Sequence, residues 1–236
     1  MHYIGSKSKL AKFIVPHIKK VLQPHQFYVE PFFGVGSVAK YFYYHPNVIC
    51  NDINSDIISL FVKLQSGWIP PTKITKEQYY HVKNNEKNCP VHERAFVLYG
   101  CSFAGKKNAG YAFSNDKTNY AEQATISLLR RIKLMKHFAF ESVDYRELEI
   151  PDNSIIYCDP PYSGTLGYEK NGKNSFDTSA FWNWCDDMAK KGHKIFVSEY
   201  NIPEHWKVIM KKTVKCYMDK TKGKYKSRVE LLATNL

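Results

Sequence analysis

The sequence predicts an α/β fold in which a doubly wound, mostly parallel, seven-stranded sheet is interrupted by an inserted, mainly helical segment. Three observations carry that expectation. Short apolar runs alternate with amphipathic stretches over residues 1–64 and again over 138–236. A glycine turn joins the first apolar run to the helical stretch behind it. Between residues 65 and 137 the alternation lapses, and the chain becomes helical, polar and glycine-containing.

Taken in order, apolar positions at helical spacing predict a helix over residues 6–21, interrupted by Lys7, Lys9, Lys12, Lys19 and Lys20. A strand over 27–30 runs into Gly34-Val35-Gly36, and a helix is expected over 37–44. A second strand, 48–51, delivers Asp52. Residues 53–64 then place Ile57, Leu60, Phe61 and Leu64 on one helical face. Past Pro70-Pro71 comes the insertion, and strands resume at 138–142 and 155–158. A helix over 179–191 precedes the strand 194–198, and 208–210 and 228–234 complete the seven. Phe181, Trp182 and Trp184 sit on that helix at amphipathic spacing and are expected to pack into the core. Ligands of such a sheet bind beyond the carboxyl ends of its strands.

Composition narrows the function classes. No apolar run approaches the roughly 20 residues of a membrane span, and the lysine-interrupted opening lacks the continuous apolar centre of a signal peptide, so a cytoplasmic location is expected. Six cysteines without a C-x-x-C pair read as reduced thiols, and nine histidines without H-E-x-x-H spacing give no metal site. The net charge of +12 attracts polyanions, with nucleic acid the first to consider. From Ser66 to His137 there are twelve Lys or Arg against five Asp or Glu, a difference of +7, so the excess concentrates in the insertion.

Two constellations carry chemistry. Gly34 and Gly36 stand at a strand-to-helix turn, where a missing side chain lets a ligand approach the backbone. Asp52, at the end of the next strand, is spaced to accept hydrogen bonds from a ribose diol. Gly34-Val35-Gly36-Ser37-Val38-Ala39 also satisfies the looser dinucleotide pattern G-x-G-x-x-A, which keeps a nicotinamide-dependent oxidoreductase open at this point. The second constellation is Asp159-Pro160-Pro161-Tyr162, directly after the buried run Ile155 to Cys158. An exocyclic base amine is a poor nucleophile, because its lone pair is delocalised into the ring. Asp159 supplies a carboxylate and Pro160 a carbonyl to hold both N–H bonds, and the prolines keep these acceptors aimed. Tyr162 offers a face to stack on a base flipped out of the duplex. Tyr168 and Phe176, in the loop 163–178, are candidates to close over that base.

Several of these segments together resemble the Dam-type, D12 class adenine-N6 DNA methyltransferases. His2-Tyr3-Ile4-Gly5-Ser6-Lys7 is similar to that family's N-terminal element, Tyr28-Val29-Glu30-Pro31-Phe32 to its glycine-turn strand, and Asn51-Asp52-Ile53-Asn54 to its second-strand motif. Phe140 to Tyr145 resembles its third cofactor strand, and Asp159 to Tyr162 its catalytic tetrapeptide. The resemblance implies a Rossmann-like methyltransferase sheet, S-adenosylmethionine (AdoMet) as methyl donor, and methyl transfer to adenine N6 by in-line displacement. It implies cofactor contacts from Tyr3, Lys7, Glu30, Phe32, Gly34, Gly36, Asp52, Ile53, Asp144 and Asp159. It also makes 65–137 the target-recognition region of a catalytic domain formed by 1–64 and 138–236. Cytosine-N4 or RNA methylation would use the same acceptor geometry.

Double-stranded DNA is the expected partner, with a cognate restriction enzyme as a further candidate and a monomer or weak dimer as the assembly. Lys106, Lys107 and Asn108 lie where the family's Asn-Gly-x-x-Arg-x-Asn element is replaced by Cys101 to Tyr111, so no GATC target carries over. Arg130 and Arg131, with Lys133 and Lys136, interleave with Leu128, Leu129, Ile132 and Met135 and read as the outward basic face of a helix. Lys222 and Lys224 fall in a basic stretch, 211–228, expected to be a flexible loop that clamps phosphates.

Overall fold

The computed structural model describes residues 1, 3, 5–107, 109–113, 118–162, 176–221 and 224–236, with only the backbone between 215 and 226. Seven strands form one sheet: β1 (Tyr28–Glu30), β2 (Val48–Asn51), β3 (Ala139–Glu141), β4 (Ile155–Cys158), β5 (Lys194–Glu199), β6 (Lys207–Thr221) and β7 (Lys224–Thr234). Their spatial order is β3-β2-β1-β4-β5-β7-β6, with β1 to β5 mutually parallel and β7 antiparallel to both its neighbours. This is a Rossmann-like sheet, mixed through its antiparallel β7, in line with the mostly parallel seven-stranded sheet that the motifs implied. It departs from the dinucleotide order 3-2-1-4-5-6, because a seventh strand is slotted between the fifth and sixth.

The central strands form because both of their faces are covered. β1 and β4 are buried at every position, as parallel strands between two layers must be. Side chains alternate between the layers. Ile155, Tyr157 and Phe196 join the cluster on one face, with α1 (Ala11–Lys19) and α2 (Ser55–Gln65). Ile156, Cys158, Ile195 and Val197 join the cluster on the other, against Phe181, Trp182, Trp184 and Cys185 of the final helix (Thr178–Lys190). The two tryptophans are therefore core residues, as their spacing predicts.

The insertion supplies α3 (Lys76–Asn84), α4 (Val91–Ala95) running into a π-helical turn at Phe96–Gly100, and α5 (Tyr120–Ile132); the final helix is α6. Thr75 starts α3 through a capping box, with its side chain accepting from the Gln78 amide and Gln78 reaching back to the Thr75 amide. Tyr79, Phe96, Leu98, Ala124, Leu128 and Met135 from the insertion belong to the same apolar cluster as Tyr28, Val48 and Leu60 of the sheet and α2. The insertion thus shares its core with the sheet.

Three expectations need correcting. The helix foreseen over 37–44 is a single 3₁₀ turn, Ala39–Phe42, closed by i→i−3 bonds such as Tyr41 N–H to the Val38 carbonyl at 3.0 Å. The basic stretch 211–228 is not a loop, since β6 and β7 pair from Lys207↔Thr234 out to Thr221↔Lys224 in one long antiparallel ribbon. Arg131 is buried rather than turned outward, and its guanidinium donates to the Val35 carbonyl in the glycine turn.

Candidate active site

The order of strands reverses between β1 and β4, so their carboxyl ends open side by side, Val29 lying opposite Ile156. From β1 the chain enters the turn at Pro31. Gly34 and Gly36 both adopt positive φ, 53° and 64°. A Cβ on Gly34 would just touch the Tyr3 ring at 3.4 Å. On Gly36 it would lie 2.5 Å from the Met135 methyl and 2.6 Å from the Phe33 ring, so only glycine fits.

From β2, the Asp52 carboxylate accepts from the Gly34 amide at 2.7 Å and the Asn54 amide at 2.9 Å. Burial pushes its carboxyl above the usual range, and those two amide bonds oppose the rise. Asn51 ties three strand ends together: its amide donates to the Pro31 and Val143 carbonyls at 3.1 and 3.0 Å and accepts from the Val143 N–H. Next to Asp52, Ile53 exposes 72% of its surface, an apolar side chain standing uncovered at the mouth of the sheet.

The N-terminal segment folds over this edge. Ser6 Oγ meets Ser37 Oγ at 2.7 Å, and Lys7 is thereby buried against the end of β4. Its ammonium lies 2.8 Å from Asp159 Oδ1, 3.0 Å from Glu230 Oε1 and 4.4 Å from the Tyr162 ring centroid. The Tyr162 hydroxyl donates to Glu230 and stands 3.1 Å from Asp159 Oδ1, while its ring packs 4.5 Å from that of Tyr200. Burial pushes the Asp159 carboxyl upward; Lys7 pulls it back and Glu230 adds to the rise. The Lys7 ammonium, although desolvated, is held above its ordinary value by the two carboxylates. Glu30 lies beneath this group, fully enclosed, and accepts from the Tyr28 hydroxyl at 2.6 Å. Burial pushes its carboxyl up to about 8, with Asp159 contributing in the same direction.

The remaining sequence-derived residues divide by place. Phe32 is half-buried, against Tyr145, Phe176 and Phe181. Asp144 is bound by the Arg146 guanidinium at 2.8 Å, which holds its carboxyl below the usual range. Lys107 is engaged by Asp56 and Glu86, both at 3.0 Å, whereas Lys106 and Arg130 are exposed. Asn108, Lys222, Tyr168, His2 and Ile4 lie outside the described residues, and of Lys224 only the backbone is described. Among the described residues no three His, Cys, Asp or Glu side chains gather closely enough to hold a metal ion, and no helix is long and apolar enough to cross a membrane.

The residues present fit AdoMet. Gly34 in the turn is half-buried, each Asp52 oxygen keeps a lone pair for a hydroxyl donor, and Ile53 offers an uncovered apolar surface to a base.

A family model described as "D12 class N6 adenine-specific DNA methyltransferase" matches residues 3–228. The chain belongs to that family. Relatives of this chain include a DNA adenine methylase of Salmonella typhi, 28% identical over 69% of this chain and 66% of that protein. Another, from Vibrio cholerae, is 22% identical over 85% of this chain and 80% of that protein. The chain thus matches just 66% of the length of the Salmonella relative. Among solved structures, a putative methyltransferase complexed with SAH aligns at 10% identity and a TM-score of 0.37, over 97% of this chain and 52% of that one.

Sequence reasoning missed three residues that the fold brings to this edge. Glu230 and Tyr200 join the Asp159 group, and the Tyr99 hydroxyl of the insertion accepts from the Asn54 amide at 2.8 Å. Glu230 had a signal: it is the single acid in the apolar run Val229 to Ala233, where an ionisable side chain needs a partner.

Proposed function

We propose that this chain transfers the methyl group of AdoMet to N6 of an adenine flipped out of duplex DNA. The observation that carries the reading is the shared edge of β1 and β4, where a glycine turn and the Asp-Pro-Pro-Tyr corner open side by side. Bound AdoMet supplies an electrophilic methyl carbon. Tyr3, Phe32, Gly34, Gly36, Asp52, Ile53 and Asp144 form its bed, with Asp52 taking the ribose hydroxyls and Ile53 the adenine face. Glu30 is enclosed under the site and holds the Tyr28 hydroxyl at 2.6 Å.

On the base side, Asp159 and the Pro160 carbonyl each accept one N–H of the amine. Holding both bonds turns the nitrogen lone pair out of conjugation and toward the methyl carbon. Proline stiffening means that this costs little reorganisation. Lys7, 2.8 Å from Asp159 Oδ1, opposes the upward push that burial gives the Asp159 carboxyl, and Tyr162 stacks on the flipped ring.

DNA approaches through its phosphates, and the exposed cations Lys106, Arg130, Lys133 and Lys136 supply counter-charge from the insertion. Residues 65–137 are read as the target-recognition region on a catalytic body of 1–64 and 138–236. The protein acts in the cytoplasm, as a monomer or weak dimer, with a restriction enzyme of the same site as a candidate companion.

The test is Asp159→Ala. Tritiated methyl transfer to an adenine-containing duplex should fall on the order of 100-fold or more, the scale of losing one preorganised transition-state partner. AdoMet affinity, measured by calorimetry, should change little. Undiminished transfer would reject the assignment, and duplexes lacking adenine should accept no label.

A further inference from the structure

We propose that Glu230, on β7, is a positioning residue for the Asp-Pro-Pro-Tyr corner. It takes the Tyr162 hydroxyl and part of the Lys7 ammonium, so that Asp159 is left to engage the base amine. The inference rests on the methyl-transfer reading above and adds a residue to it.

The antiparallel run of β7 brings Glu230 there. The last β5–β7 pair is Glu199↔Leu231, so Glu230 stands just beyond the carboxyl end of β5. Because β7 runs antiparallel, a residue near its start arrives at the edge where the parallel strands finish. Glu230 is 2% exposed there, and its Oε1 reaches the Lys7 ammonium and the Tyr162 hydroxyl, both of which also contact Asp159.

Hydrogen-bond accounting gives the reason for a second carboxylate. Lys7 is a buried donor of three N–H bonds, and Tyr162 carries one hydroxyl proton. Were Asp159 the sole acceptor, both would draw on the oxygens that the amine must use. Among the described residues, the Lys7 and Tyr162 contacts to Asp159 both fall on Oδ1. Glu230 accepts from each of them through Oε1. One cation is thus divided between two carboxylates, and the Tyr162 ring is fixed from its hydroxyl end while Tyr200 packs against it. The charged and titratable groups facing the corner are Lys7 from the N-terminal turn, Glu30 from β1, Tyr157 and Tyr162 from β4 and its sequel, Tyr200 after β5, and Arg228, which lies over the Tyr200 ring on β7.

The experiment compares wild type with Glu230→Gln and Glu230→Ala in three measurements: AdoMet affinity by calorimetry, single-turnover methylation of duplex DNA, and ¹³C titration of the Asp159 carboxyl, assigned by its loss in Asp159→Asn. We expect AdoMet affinity to hold within about threefold. The Glu230→Ala rate should fall on the order of 10- to 100-fold, the range for removing a group that orients a functional side chain. Glu230→Gln, which keeps an acceptor for Tyr162, should recover part of that loss. Removing a neighbouring negative charge favours ionised Asp159, so its titration midpoint should move to lower pH in Glu230→Gln, and the acid limb of the rate should move with it.

An unmoved Asp159 titration, or a rate loss matched by lost AdoMet affinity, overturns the proposal. If Glu230→Ala fails to fold, the Glu230→Gln titration decides alone. A wild type that does not methylate adenine refutes the function proposed above, while the titration still reports on Glu230.

Discussion

Gly36 and Gly34 differ in a way that denaturation can measure. Both hold positive φ, at 64° and 53°, so alanine at either position meets similar backbone strain, about 1–2 kcal/mol for an L-residue in the left-handed region. Either change also stiffens the unfolded chain, which returns about 0.4–1 kcal/mol. These contributions cancel in the comparison, and packing remains. At Gly34 the new methyl meets the Tyr3 ring at an ordinary 3.4 Å. At Gly36 it would press on the Met135 methyl at 2.5 Å and on two Phe33 ring atoms at 2.6 and 2.8 Å. The Met135 terminus can rotate away. The Phe33 ring cannot, because Phe61 and Phe140 hold it edge-on at 4.8 and 5.5 Å. Overpacking of this kind costs about 1–3 kcal/mol. Gly36→Ala should therefore be less stable than Gly34→Ala by about 1–3 kcal/mol in urea titrations, or roughly 2–12 °C in melting temperature for a chain of this size. Pairing Gly36→Ala with Met135→Leu should recover only a minor part. Equal stabilities for the two alanine variants would refute the packing argument, leaving strain alone.

Glu30 titrates near 8 when folded, against an ordinary 4.5, so its contribution to stability is complete below about 4.5 and is lost as pH rises toward 8. That loss is on the order of 5 kcal/mol at 1.36 kcal/mol per pH unit, and Glu30→Gln should flatten the wild-type slope in stability measured across this window. Arg131→Ala should destabilise the fold by about 1–3 kcal/mol, since it strips a buried partner from the Val35 carbonyl. Arg130→Ala, at an exposed site, should leave the melting temperature unchanged and lower the salt slope of DNA binding by about 1. Asp56→Ala leaves Arg94 and Lys107 without the carboxylate that binds them at 2.7 and 3.0 Å; a loss of about 1–3 kcal/mol in thermal unfolding is expected, and an unchanged melting curve would show the cluster to be idle.

Legibility followed burial. β1, β2 and β4 were readable because short strands between two layers leave unbroken apolar runs bounded by turns. Beyond Met210, the β6–β7 ribbon was unreadable: its lysines carry no apolar alternation in the sequence, and cross-strand pairing makes it a strand. Arg131 was legible in hindsight. Leu128, Arg131, Ile132 and Met135 lie at i, i+3, i+4 and i+7, which is the inward stripe, so its charge misdirected a reading that its spacing would have corrected. In the site, the glycine turn, Asp52 and the Asp159 corner were visible because each is local in sequence. Glu230 was not, since its partners Lys7 and Tyr162 lie 223 and 68 residues away and only the sheet order brings them together.

Tyr79, Phe96, Leu128 and Met135 interdigitate with side chains from the sheet and α2, so the insertion lacks a seam along which it could be cut out. A segment transplanted from a relative would arrive with half a hydrophobic interior and leave the other half bare. Under the proposed function, change in what the insertion reads on DNA is thereby confined to residues the interior does not own, such as the exposed Phe103, Lys106 and Phe113. New preferences would have to be gained by substituting individual positions on that rim, because exchange of the region as a cassette would unfold the catalytic body along with it.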